Sequence, residues 1–355
     1  MRRALVVLLM ACGGVPQELL PGGLGPVVRG PALVAADGTL DAWQVDRPLP
    51  VARANHCAAA FGDRLIIAGG NYKPAGATDF VTLDDVQLAK VGSDGALQEW
   101  RLAGRLPAAG VDCVLAFDGT TLVLLGGLFA DDSLNGRVWT AAVGEDGTLG
   151  AWSEVGTLPY GRRSLGGLAK LRGDTLWLND ARLSSEGAAE AVLATATLGS
   201  TLSAWTSTPY AMSFRGKPQV AFTAEAAFII GGYGDANAVQ SSVTAIGLGS
   251  GSVGETTPLP EARAFGAAAE VDGWVFVSGG RTQLFGVAPL PVVWSAKADA
   301  SSLGEWNAQA SLPEPRSNHT MTVVGDWLFV AGGGAGGGGL DTVFRARVKR
   351  PAPAQ

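Results

Sequence analysis

Five arginines stand where they could do chemistry together. Arg53, Arg163, Arg215, Arg263 and Arg316 each lie 16 positions before a fixed dipeptide site. Those sites are Gly69-Gly70, Asn179-Asp180, Gly231-Gly232, Gly279-Gly280 and Gly332-Gly333. Equivalent places in a repeat become equivalent places in space. Guanidiniums converging on one opening favour a carboxylate, phosphate or sulfate, because each offers paired planar donors. The competing reading is that each arginine bonds carbonyls of its own or the next unit. His56 and His319 are the only two histidines, and they follow Asn55 and Asn318 in matching places. A shared metal would want a third ligand, and none is evident. No metal and no cofactor is therefore expected.

Other catalytic signals are lacking. The chain has no nucleophile elbow, phosphate loop, zinc spacing or repeated carboxylate pair. The acidic doublets Asp84-Asp85 and Asp131-Asp132 read as solvated or turn-forming groups rather than calcium ligands. For acid-base work only His56, His319, Asp112 and a few loop carboxylates are at hand. No residue is assigned a catalytic role.

The elements that position these residues follow from the same spacing. A tryptophan lies 26 positions before the first glycine in Trp43, Trp100, Trp205 and Trp306. Val253 takes that place before Gly279, Gly110 takes the arginine place before Gly126-Gly127, and Trp152 is one residue out of step. Six units at this spacing mean a closed ring of small β-sheets. The first unit shows the pattern. Asn55 to Phe61 reads as one strand, Leu65 to Ala68 as the second, Val86 to Val91 as the third, and Leu97 to Leu102 as the fourth with Trp100 inside it. Asp94-Gly95 marks a hairpin, since both residues tolerate φ > 0, and the signal returns at Asp37-Gly38 and Asp146-Gly147. Leu-Pro exits at Leu49-Pro50, Leu106-Pro107, Leu158-Pro159, Leu259-Pro260 and Leu312-Pro313 suit links where no ladder N–H is needed. The tryptophans are expected to pack between neighbouring sheets, because one four-stranded sheet cannot bury both faces alone. Asn179-Asp180 is expected to replace glycine at positive φ.

Arg53 with His56, the run into Gly69-Gly70, the Asp85-Val86 strand start and the tryptophan after each hairpin resemble the kelch repeat family. The resemblance covers about Leu33 to Arg347. It implies a β-propeller in which the first strand of each unit lines the central channel, so the arginines would surround one mouth. In eukaryotic kelch adaptors, arginines at this position take part in binding acidic peptides, whereas histidine there is usually structural. A copper site of the galactose oxidase type is excluded, because its two histidines and cysteine-linked tyrosine are not matched.

Counting strands gives the closure. The last unit offers Thr320 to Val324, Leu328 to Ala331 and Thr342 to Lys349, and has no fourth strand. The segment Thr39 to Val45 is a fourth strand without a first three. The fold class is therefore all-β, a six-bladed kelch-type β-propeller closed by pairing an N-terminal strand with the C-terminal blade. A seven-bladed ring with one degenerate blade is not supported by the count.

The ends and the charge bound location and partners. Arg2 and Arg3 precede a short apolar core, Ala4 to Ala11, as in an export signal. Leu9-Met10-Ala11-Cys12 resembles a bacterial lipobox, which would make Cys12 a lipidation site; an ordinary cleaved signal is the alternative. Residues 1–11 read as signal peptide, 12–30 as flexible tether, 31–350 as propeller and 351–355 as tail. The expected location is the outer membrane or periplasmic face of a bacterium, held by a lipid anchor, or the medium if the lipobox is unused. Cys57 and Cys113 read as two separately buried thiols rather than a bridge. Net charge is −6 without a basic run, which argues against nucleic acid as a partner. A monomer is expected.

Function stays open between classes. The first reading is a non-catalytic binding propeller whose arginine mouth and variable loops take an anionic small molecule, a glycan or an acidic peptide. Tyr72, Phe129, Tyr233 and Phe285 place one aromatic near the start of four such loops, for stacking or for anchoring. The alternative is an enzyme. Resemblance to sialic acid mutarotases, which are exported six-bladed kelch proteins, implies an isomerase acting on a carboxylated sugar. A purely structural surface domain is the third reading.

Overall fold

The computed structural model describes residues 36–117, 119–131, 136–159, 169–183, 189–213, 215–234, 237–335 and 338–350. They form six small antiparallel sheets in a six-bladed β-propeller. Blade 1 runs Cys57–Phe61, Arg64–Ala68, Asp85–Lys90, Arg101–Arg105. Blades 2 to 5 begin with inner strands Val114–Phe117, Ala169–Arg172, Gln219–Phe222 and Ala267–Val271. Blade 6 takes Thr320–Val324, Trp327–Ala331 and Val343–Arg347 from the C-terminal region and Gln44–Asp46 from the N-terminal region. The closing strand is shorter than Thr39 to Val45, although Leu40 still bridges Val348. Trp100 stands just before the fourth strand of blade 1 rather than within it.

Short hairpins alone would leave each sheet with two unburied faces. Neighbouring sheets cover them: Ile66, Leu88 and Cys57 of blade 1 join Leu122, Leu124 and Leu115 of blade 2 in one buried cluster. The indoles tie the same interfaces by hydrogen bonds. Trp152 Nε1 donates to the Arg105 carbonyl at 2.7 Å, Trp205 to Thr157 at 2.7 Å, Trp306 to Thr257 at 3.1 Å and Trp43 to Ala310 at 2.8 Å. Each bond runs to the blade before. Tryptophan suits this place because it buries a large ring and still satisfies one donor.

The glycine pairs mark where the second strand turns into its long loop. Gly69 and Gly70 have φ of 61° and 93°, which a side chain rarely tolerates. A Cβ on Gly70 would also lie 2.8 Å from the Ala54 carbonyl. Blade 3 differs from the expectation. Asn179 and Asp180 stay in the strand Thr175–Leu183, paired with Leu193 and Val192. Without the glycine turn, the strand and its partner Ala189–Thr197 simply run on.

The two cysteines also differ from the expectation. Cys57 and Cys113 form a disulfide with Cα atoms 5.6 Å apart, inside the usual bridging range. It joins blades 1 and 2 near the channel. Spacing within the repeat did not show this, because the two lie at adjacent rather than identical repeat positions.

Candidate functional site at the channel mouth

The arginines come first, since the sequence singled them out. Arg53, Arg263 and Arg316 are completely buried and Arg215 nearly so. Each turns its guanidinium into its own blade. Arg53 Nη1 donates to the Gly69 carbonyl at 2.9 Å, and its two Nη atoms grip the Asp85 carboxylate at 2.9 and 2.8 Å. Arg316 Nη1 reaches the Gly332 carbonyl at 2.8 Å, and Nη2 reaches Thr342 Oγ1 and Glu314 Oε2 at 2.9 and 3.1 Å. Arg263 bonds the Gly279 carbonyl at 3.0 Å and lies 3.7 Å over the Trp294 ring. Arg215 donates to the Ser242 carbonyl at 2.7 Å. Burial lowers the pKa of Arg263 and Arg316 to about 10, with Glu261 and Glu314 opposing the shift; both stay charged at neutral pH. These four side chains build the blades and do not line the opening. Arg163 and Cys12 lie outside the described residues. In blade 2, where Gly110 replaces arginine, the buried Phe129 ring packs over Gly110.

The histidines are buried between blades. His56 Nε2 lies 3.0 Å from Thr320 Oγ1 of blade 6, and His319 Nε2 lies 2.8 Å from Ser278 Oγ of blade 5. Both Nδ1 atoms are buried without a partner. Burial, then the charges of Arg53 and Arg316, lowers His56 to about 3. Burial and Arg316 likewise push His319 well below its ordinary value. Both imidazoles are neutral at pH 7.

What the chain does bring together at the opening is the residue two places after the arginine position in the five blades where that residue is described. Asn55, Asp112, Lys217, Phe265 and Asn318 all have positive φ, between 49° and 64°. They are linked blade to blade. Asn318 N–H donates to the Phe265 carbonyl at 2.7 Å, Phe265 N–H to Lys217 at 3.1 Å, Asn55 N–H to Asn318 at 3.0 Å and Asp112 N–H to Asn55 at 2.8 Å. The left-handed conformation costs roughly 1–2 kcal/mol per residue for side chains other than glycine. Asn and Asp bear it best; lysine and phenylalanine do not. Conformational strain of this kind gathers at functional sites.

Below this ring lies a cavity of about 180 Å³. Its walls are the first residues of the inner strands, among them Ala58, Leu115, Ala268 and Thr322. His56, His319 and the disulfide also border it. Lys217 Nζ and the Asp112 carboxylate form an ion pair across the rim. Phe265 stacks on Tyr233 with ring centres 5.7 Å apart, so that aromatic braces the mouth. Phe285 is 79% exposed. Such a pocket, small and apolar below with a few convergent polar groups above, suits a small molecule. The sequence drew attention to Asn55 and Asn318 only as neighbours of histidine. Lys217 and Phe265 carry no signal in their residue types; their offset from Arg215 and Arg263 is the one trace.

Among the groups available as ligands, no cluster of three or more His, Cys, Asp or Glu among the described residues could hold a metal ion. No helix of the described residues is long and apolar enough to cross a membrane. No family model matches the chain, and no curated protein matches it. A solved structure described as "Structure of YjhT" superposes with a TM-score of 0.65, covering 84% of this chain and 96% of that one at 12% identity. At that identity the likeness is one of fold.

Proposed function

We propose that this propeller, of the kelch type, binds a small polar molecule at the channel mouth and does not transform it. The observation that carries the reading is the strained ring of Asn55, Asp112, Lys217, Phe265 and Asn318 over the cavity. Catalysis would call for an acid or base tuned towards neutral pH. The two imidazoles are instead held neutral in bonds between blades. The carboxylates that shift, Asp85, Asp146 and Asp272, all move down, and none borders the cavity. A small molecule or a glycan terminus fits this pocket better than an acidic peptide, since the four described repeat arginines are turned into their own blades. A lipid on Cys12 would display the propeller at the bacterial envelope. The Leu9-Met10-Ala11-Cys12 segment supports that placement, and so does a disulfide, which persists in oxidising compartments. The test is an array of metabolites and glycans probed with the mature protein, with Asn55→Ala plus Asn318→Ala as the control that should lose any hit.

A second reading is an isomerase of the mutarotase type. Asp112 and Lys217, a carboxylate and an ammonium in contact at the rim, favour it as an acid-base couple. Faster interconversion of sialic acid anomers by the protein, followed by NMR and abolished by Asp112→Asn, would establish that reading.

A further inference from the structure

We infer that the channel mouth selects ring-sized solutes of no net charge and turns away singly charged ones. The inference rests on the binding reading above and names the ligand class for the same cavity. Among the described residues, Asp112 and Lys217 are the only charged side chains on its wall, one of each sign. They are paired with each other, with side chains 16% and 18% exposed. One comes from blade 2 and the other from blade 4, so the pair spans the sector of blade 3.

Both partners stand on backbone that is fixed. Asp112 N–H is bonded to Asn55, and the Lys217 carbonyl accepts from Phe265. Four buried arginines of the blades are balanced by carboxylates of their own. Arg53 faces Asp85, Arg316 faces Glu314, Arg263 has Glu261 at 3.5 Å and Arg215 has Glu255 at 3.6 Å. Each of these four guanidiniums thus has its own carboxylate, and the charges that border the cavity among the described residues are the two of the pair.

Consider then what each solute does. An anion that takes Lys217 must either displace Asp112, leaving a largely buried carboxylate unpaired, or share the ammonium with it and sit beside a second negative charge. Losing one partner of a buried pair is strongly unfavourable, and so is the like charge in the shared case. A cation that takes Asp112 meets the mirror penalty at Lys217. A neutral ring leaves the pair intact. It can accept from Lys217, donate to Asp112, bond the amides of Asn55 and Asn318, and lie against Phe265. A zwitterion can satisfy both charges at once. The pair is therefore the specificity-determining element.

Three nitroxides on one ring test this without a known ligand: 4-hydroxy-TEMPO, 4-carboxy-TEMPO and 4-amino-TEMPO, of charge zero, minus and plus. The readout is paramagnetic relaxation of the backbone amides of Asn55, Asp112, Lys217, Phe265 and Asn318 in the mature protein. Each value is divided by the same probe's effect on the exposed residues Leu102 and Val253, which removes the bias of the overall negative charge. The neutral probe should exceed both charged probes at the mouth by at least about threefold. Asp112→Asn should move the preference to the carboxylate, Lys217→Met to the amine, and the double variant should restore the neutral one. The two single variants predict opposite signs, so either one that melts normally suffices. A charged probe that equals the neutral one at the wild-type mouth overturns charge selection while leaving the pocket standing. If no probe reaches the mouth more than the outer reference, the cavity is not entered and the binding reading falls with it.

Discussion

Arg316 Nη1 donates to the carbonyl of Gly332 at 2.8 Å, while the next residue, Gly333, donates its N–H to the carbonyl of Arg53 at 2.8 Å. The first bond stays within blade 6; the second crosses to blade 1. The same stitch joins Gly232 to Arg263 and Gly280 to Arg316. In blade 1 Gly70 reaches Gly110, since only a carbonyl is needed there. The spacing of 16 is thus a hydrogen bond, seen at Arg53–Gly69, Arg263–Gly279 and Arg316–Gly332. An arginine so placed is a rivet.

Truncating a rivet should therefore destabilise. Arg53→Ala removes the bond to Gly69 and leaves the Asp85 carboxylate, only 14% exposed, without its charged partner. A loss of ~3–5 kcal/mol is expected in urea unfolding. Arg53→Lys should recover only part, because lysine lacks the planar fork that grips both carboxylate oxygens. A change below about 1 kcal/mol would be typical of a surface site and would remove the arginine from the structural role.

The closing strand makes its own prediction. Gln44–Asp46 covers the edge of Val343–Arg347, and Asp46 is bound by Arg345 at 2.8 Å and by the Leu97 N–H at 3.1 Å. Removing residues 1–46 should expose strand edges on blade 6 and drive aggregation, seen by size-exclusion chromatography with light scattering. A monomeric truncation with an unchanged melting curve would contradict ring closure by this strand.

Reduction of the Cys57–Cys113 disulfide should lower stability by ~4 kcal/mol, the chain-entropy value for a loop of this length. Melting with and without a phosphine reductant, alongside Cys57→Ser, measures it. Identical curves would mean that the bridge contributes nothing to folding.

The buried histidines set an acid limit. Their folded pKa lies below the unfolded 6.5, with His56 at about 3 and His319 also well down. The unfolded chain therefore binds protons first as pH falls. Their contribution is fully present above about pH 6.5 and is lost as pH falls below it, for His56 down to about 3, at up to ~1.4 kcal/mol per pH unit for each histidine. Urea midpoints at pH 7 and pH 5 should differ clearly in the wild type. They should differ less in His56→Gln plus His319→Gln.

Much of the ring was legible because its stitches use residue types with few substitutes. Only glycine fits where Gly70 passes the Ala54 carbonyl, and only arginine reaches from position 53 to 69 and still grips Asp85. Even the ambiguity was visible, since a buried arginine bonding carbonyls was one of the two readings. The mouth was less legible. Its defining property is a backbone conformation, and Lys217 and Phe265 are poor formers of it, so only the ring of hydrogen bonds between blades explains them. The disulfide was hidden for a related reason. Cys113 stands in blade 2 where His56 stands in blade 1, and each reaches back to the following repeat position of the preceding blade, Cys57 and Thr320. One slot is filled by different chemistries, and a residue-by-residue alignment of the repeats does not pair its two sides.

The central claim is that ligands enter over the ring of Asn55, Asp112, Lys217, Phe265 and Asn318. Backbone amide shift mapping of the mature protein against a library of small uncharged metabolites tests it most directly. Shifts should concentrate on those five residues and on the cavity wall at Ala58 and Ala268, and they should vanish in Phe265→Ala plus Asn318→Ala. Shifts confined to the outer loops, such as residues 281–290, with the five mouth amides unmoved, would contradict it.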